Sequence, residues 1–153
     1  ALDRFILTDI GTHILDVARF LFGEAESLFC VTRKVRADIR GEDVATVLMR
    51  SESGAAVTCE MSYASRVEHD RFPEAFVMVE GGQGSVELGP DYWVRVTTAG
   101  GTHSRRHPPP RYPWCEPGRE LVQSSMVPCL RNLLAAMKGE GEAETTAADN
   151  LKT

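Results

Sequence analysis

The chain has 153 residues, 42% hydrophobic and 25% charged, with 22 acidic against 17 basic side chains and a formal charge of -5. Such a length and mix point to one soluble globular domain with a buried core and exclude a disordered chain. The acidic balance argues against a nucleic-acid partner, and no run of roughly 18 apolar residues is present to span a membrane.

The first predicted element is the helix in "LTDIGTHILDVARFLFGE", Leu7 to Glu24. Ile10, Ile14, Val17, Ala18 and Leu21 recur at helical spacing and predict a core stripe, with Leu15, Phe20 and Phe22 forming a second one. Gly23 is a natural C-terminal stop. A helix apolar around so much of its girth expects cover on more than one side.

From Ser27 the period changes to two. The segments 27–37, 43–52 and 55–63 read as strands, the last two joined by the turn "SESG", Ser51 to Gly54. Val57, Cys59, Met61 and Tyr63 alternate with Thr58, Glu60 and Ser62. A charged loop over 66–71 precedes strand-like stretches at 75–80, 85–88 and 92–98. Consecutive strands on short turns predict a mainly antiparallel sheet. The segment "HPPPRYPWCEPG", 107–118, holds five prolines and is expected to be neither helix nor central strand. A second long helix is predicted over 121–138, with Pro128 marking its first turn or a kink. A short polar helix begins near Thr145.

Several residues invite a chemical role. "GGQGS", Gly81 to Ser85, suggests a phosphate loop, but a phosphate cradle needs strand, glycines and then a helix. Here strand-like residues flank both sides, which predicts a glycine hairpin, so no cofactor-binding residues are expected in this chain. Cys30, Cys59, Cys115 and Cys129 lie far apart without a CxxC pair, which suggests reduced thiols in a cytoplasmic protein and no metal site. His69, His103 and His107 read as solvated loop residues. Arg105, Arg106 and Arg111 form the one basic cluster, too short to reverse the acidic balance. Tyr112 and Trp114 could pack on a ligand or anchor a loop.

The helix trio is the stronger signal. At about 100° per residue, Asp9, His13 and Asp16 span only about 60° of the circumference. One alternative is that Thr8 or Asp9 caps the helix while Asp16 is solvated. Another is a metal site, for which one helix offers three ligands and no obvious fourth. The functional alternative is an Asp–His couple, in which the imidazole moves a substrate proton.

"TDIGTHILDVARFLFGE", "GEDVATVLMRSESGAAVTCEMSY" and "VEGGQGSVEL" follow in the order of the C-terminal domain of the Gfo/Idh/MocA oxidoreductases, which this chain resembles over nearly its whole length. The closing "LRNLLAAMKGEGEAETTAADNLKT" resembles that family's late helix and the start of its final one. The resemblance implies an α+β fold similar to the C-terminal domain of glyceraldehyde-3-phosphate dehydrogenase. It has an open, mainly antiparallel sheet, helices packed on one face, and homo-oligomerisation as a dimer or tetramer through the sheet. It also implies that Asp9 and His13 are catalytic and contact substrate, while Asp16 is structural. Tyr63, at the end of the third strand, joins them as a candidate substrate contact. NAD(P) would be held by an N-terminal Rossmann domain that this chain lacks. Residues 1–153 then read as an excised substrate-binding and oligomerisation domain of an enzyme acting on a sugar, cyclitol or related polyol, inactive alone. The alternatives are a non-catalytic oligomerisation module, or a domain of an NAD-dependent glycosidase.

Overall fold

The computed structural model of the chain describes residues 4–68 and 75–153. His69 and part of the charged loop expected over 66–71 lie outside the described residues. The backbone forms two compact units, Ala1–Arg66 with Thr145–Thr153, and Val67–Glu144.

The first unit opens with a π turn, Leu7–Gly11, that runs directly into helix α1, Thr12–Phe22. The turn is closed by the Gly11 N–H donating to the carbonyl of Ile6, five residues back, at 2.8 Å. Gly11 is required there, because a Cβ would lie 3.0 Å from that same oxygen and 3.3 Å from the Met61 sulfur. Helix α1 ends where expected, at Gly23, whose φ of 85° suits a residue without a Cβ. Strands β1 (Ala25–Arg33), β2 (Val44–Ser51) and β3 (Ala56–Ser62) form an antiparallel ladder in the order β1-β2-β3. The β2–β3 connection is the expected turn, with the Gly54 N–H donating to Ser51 O.

One face of this sheet carries the core. Ala45, Val47 and Met49 of β2 and Val57, Cys59 and Met61 of β3 are buried with Ile6 and Ala18, and Ile10, Ile14, Leu15 and Phe22 pack against them. Each fully buried side chain of this size contributes about 1.5–3 kcal/mol through its removal from water. The predicted helix stripe is thus displaced. The i, i+4 line Ile14–Ala18–Phe22 faces the sheet, while Val17 and Leu21 remain about half exposed and Phe20 is 86% exposed. On the opposite sheet face Phe29, Val31 and Leu48 are exposed.

The polar helix start at the chain's end is α3, Ala147–Asn150, capped by Thr146, whose hydroxyl oxygen accepts the Asp149 N–H. It is tied to α1 by Arg19. This guanidinium, 10% exposed, pairs with Asp16 at 3.3 Å, Glu24 at 2.8 Å and Asp149 at 3.0 Å, and donates to the Thr153 hydroxyl.

The second unit is a four-stranded antiparallel meander, β4 (Val77–Gly81), β5 (Gly84–Gly89), β6 (Trp93–Thr98) and β7 (Gly101–Arg106). Strand β7 has no counterpart in the sequence pattern. "GTHSRR" is polar and exposed at every position, so only ladder hydrogen bonds mark it as a strand. Arg105, Arg106 and His103 therefore lie on a strand instead of a loop. Helix α2, Glu120–Met137, matches the predicted helix, but Pro128 lies in its interior, past the first turn. In the proline-rich segment Tyr112 and Trp114 stack on each other, with ring centroids 5.4 Å apart. Among the described residues no helix is long and apolar enough to cross a membrane. The α+β class and the antiparallel pairing are as expected, with the seven strands of the described residues divided between two ladders.

Candidate active site around Asp9, His13 and Tyr63

Asp9 meets the end of β3 in the first unit, with His13 one helical turn along from Asp9 and Asp16 engaged by Arg19. Asp9 sits inside the π turn with its side chain exposed, its N–H donating to Phe5 O at 2.9 Å and its carbonyl accepting from the Thr12 hydroxyl at 2.9 Å. Single π turns inside helices recur at functional sites, where they re-aim a side chain. His13 follows one turn later, exposed, at the start of α1. Among the described residues no hydrogen bond joins His13 to Asp9. The carboxylate instead accepts the Tyr63 hydroxyl, Oη to Oδ2 2.8 Å, across a separation of 54 residues. Neither Thr8 nor Asp9 caps the helix with its side chain.

Tyr63 is half buried just past β3, its ring 5.1 Å from that of Phe5. Burial, and next the hydrogen bond and charge of Asp9, push its phenol up to about 12. It therefore stays a neutral donor throughout the physiological range. This leaves Asp9 with one oxygen held by Tyr63 and the other, Oδ1, able to accept from a hydroxyl brought to the site. An exposed imidazole nearby, a carboxylate and a neutral phenol form a set able to grip a polyhydroxylated molecule and move one of its protons. Asp16 is occupied by Arg19 and the Thr153 hydroxyl at 3.1 Å, a structural position.

Two further carboxylates lie behind this set, and the sequence pattern does not single them out. Glu42 Oε1 accepts the N–H groups of Phe5 at 3.0 Å and Leu7 at 3.4 Å. Asp43, fully buried, accepts those of Val35 at 2.7 Å and Arg36 at 2.6 Å. In both, burial raises the carboxyl pKa, but the donated backbone N–H groups outweigh it and hold the group below its ordinary range. Acidic residues before a strand read as a solvated loop, so only their burial reveals them.

No part of this chain has the form of a nucleotide cradle among the described residues. The "GGQGS" glycines are a β-hairpin, with Gly81 paired to Gly84 and strand on both sides. A shallow hollow beside it, between Val79–Val86 and Val96–Thr98, brings no titratable cluster together. Nor do three His, Cys, Asp or Glu side chains converge as a metal site among the described residues.

Comparison with known proteins adds the family. The chain is 41% identical over 151 residues to a D-apiose dehydrogenase of Paraburkholderia graminis, covering 99% of this chain and 40% of that protein. It is 34% identical to a second D-apiose dehydrogenase, from Rhizobium rhizogenes, covering 99% of this chain and 44% of that protein. The chain thus spans about two fifths of the length of the curated relatives it matches. Among solved structures, an oxidoreductase from Agrobacterium radiobacter, crystallised with NAD+, L-tartaric acid and magnesium, matches with a TM-score of 0.94 at 34% identity. The match covers 99% of this chain and 44% of that one. Residues 1–87, which include Asp9, His13 and Tyr63, match the family described as GFO/IDH/MocA C-terminal domain, and this chain belongs to that family.

Proposed function

We propose that this chain is the substrate-binding, half-catalytic C-terminal domain of an NAD(P)-dependent oxidoreductase acting on a sugar or related polyol. The observation that carries the proposal is the Asp9–Tyr63 hydrogen bond of 2.8 Å beside the exposed His13. It makes a donor–acceptor pair next to a general base, which is what removal of a proton from a sugar hydroxyl requires. The names of the two D-apiose dehydrogenases support a sugar substrate, and D-apiose is the first compound to test. They weigh against the oligomerisation-only and glycosidase alternatives.

In this reading Asp9 Oδ1 and His13 bind adjacent hydroxyls, and Tyr63 fixes the Asp9 carboxylate and walls the site. The His13 imidazole takes the hydroxyl proton as the alcohol becomes a carbonyl. A nicotinamide cofactor held by a separate N-terminal nucleotide-binding domain would supply the hydride acceptor. The glycine-rich stretch at 81–85 is a hairpin and not a phosphate cradle, so the contribution assigned to this chain is orientation and the proton.

The test is a fusion of this chain to the N-terminal part of the Agrobacterium radiobacter oxidoreductase, assayed for NAD+ and NADP+ reduction with D-apiose and a panel of polyols. Turnover that falls by about two to four orders of magnitude in His13→Ala, with cofactor affinity unchanged, supports the proposal. A His13→Ala fusion that keeps most of its turnover refutes it.

A further inference from the structure

We propose that Glu42 is a positioning residue for the reaction centre: it fixes the chain segment from which Asp9 reaches Tyr63, without itself meeting substrate. This inference rests on the proposed function for its consequence, but its geometry stands on its own.

Asp9 and Tyr63 lie 54 residues apart, so their 2.8 Å contact depends on something that locks the π turn against the end of β3. The dipeptide Glu42-Asp43 supplies it. The Ile6 N–H donates to the Glu42 carbonyl at 3.0 Å, and the Tyr63 N–H donates to the Asp43 carbonyl at 2.9 Å. Two adjacent peptide units thus hold the segment leading to Asp9 and the segment carrying Tyr63. Their relative position is fixed within the reach of a single dipeptide.

The Glu42 side chain secures the same segment again. Its Oε1 accepts the N–H groups of Phe5 and Leu7, donors that begin a helical turn and have no partner within it. A serine or aspartate at the turn's own start usually does this. Here the acceptor comes from the residues just before β2 instead, so that satisfying the turn also docks it beside the sheet. Phe5 matters twice, because its carbonyl accepts the Asp9 N–H at 2.9 Å and its ring packs 5.1 Å from Tyr63. Gly41 permits the approach, since a Cβ there would lie 2.8 Å from Phe5 N. Asp43 braces the other side through Val35 and Arg36, and the Arg36 guanidinium donates to Tyr63 O at 3.4 Å.

The experiment uses Glu42→Ala and Glu42→Gln. The second keeps the side-chain length and one acceptor oxygen, and so guards against a failure to fold. In the 153-residue chain, two NMR readouts apply: amide exchange at Phe5 and Leu7, and the Tyr63 Cζ resonance, assigned by comparison with Tyr63→Phe. In Glu42→Ala, exchange at Phe5 and Leu7 should be at least about tenfold faster with the β2–β3 ladder amides unchanged, while Glu42→Gln, which keeps the acceptor oxygen, should restore most of the protection. The Tyr63 resonance should move toward its position in Asp9→Asn, where the carboxylate acceptor is gone. In the fusion enzyme, kcat should fall by about ten- to a hundredfold in Glu42→Ala with cofactor KM unchanged, and Glu42→Gln should recover much of it. An intact ladder with unmoved Tyr63 and Phe5 signals in Glu42→Ala overturns the proposal. So does a moved Tyr63 signal with full kcat, in a fusion that His13→Ala inactivates. Failure of the proposed function itself is read separately, from His13→Ala alone.

Discussion

Replacing Ile6 by alanine tests how firmly the segment leading to Asp9 is built into the core. Ile6 is fully buried, lies between the N-terminal segment and the sheet, and uses both its N–H and its carbonyl in backbone hydrogen bonds. The substitution removes three carbons, worth about 0.8 kcal/mol each, or about 2.4 kcal/mol together. A cavity term is added, because those two backbone bonds limit how far the surroundings can collapse. The total should be about 3–4 kcal/mol, a large fraction of the 5–10 kcal/mol on the order of which a unit of this size is stable. Leu28→Ala is the control, since Leu28 is 65% exposed and its truncation should cost under about 1 kcal/mol. Tryptophan fluorescence is the wrong probe, because Trp93 and Trp114 both belong to the second unit. Urea unfolding followed by the methyl resonances of Met49 and Met61, which lie in the first unit's core, reports the right transition. If Ile6→Ala costs no more than Leu28→Ala, the segment is not part of the core and the account of how Asp9 is held fails.

The chain alone should not bind NAD+ or NADP+, because its GGQGS stretch is a hairpin and not a phosphate cradle. Calorimetric titration showing micromolar binding would contradict this. The chain should associate through the sheet face bearing Phe29, Val31 and Leu48, all at least half exposed. Light scattering at tens of micromolar should give at least a dimer mass, lost in Leu48→Lys, and the interface should exceed roughly 1,200 Å². A monomer mass for the unmodified chain rules it out. The docking of α3 on α1 should weaken in acid. Hydrogen bonding from Arg19, more than enough to offset burial, lowers the Glu24 carboxyl from 4.5 to about 2. A lowered carboxyl pKa stabilises the fold fully above 4.5, and that contribution is lost as the pH falls through about 2. Glu24 is partly exposed, so salt should reduce the effect. Amide signals of Ala147–Asn150 that stay unchanged down to pH about 2 would exclude this role for Glu24. Finally, Tyr63→Phe in the fusion enzyme should raise the KM for sugar by several-fold while sparing the cofactor KM, since the hydroxyl orients Asp9. An unchanged sugar KM removes Tyr63 from the site.

The local elements were legible in the sequence because each obeys a short-range rule. The alternation at Val57, Cys59 and Met61 gave a strand with one buried face, and that face is the core. Gly23 and "SESG" ended and turned the chain through φ values that only glycine adopts without strain. The spacing of Asp9 and His13, joined to the family resemblance, pointed to the helix that carries the candidate site. Strand β7 escaped because an exposed strand of polar residues has no hydrophobic period to betray it. The exposure of Val17 and Leu21 escaped because helical spacing says which residues share a face of α1, not which part of an apolar girth meets the sheet.

The partners of Asp9 belong to another level altogether. Nothing in sequence spacing says that Tyr63 donates to Asp9, or that Glu42 and Asp43 hold the backbone on either side of them. Those bonds join residues 35 or more apart for Asp9 and Glu42, and they form only once the sheet has brought those segments together. A carboxylate in a loop is equally at home in water or against buried N–H groups. Which of the two it meets is decided by the packing of chain segments distant in sequence, and so by the tertiary structure alone.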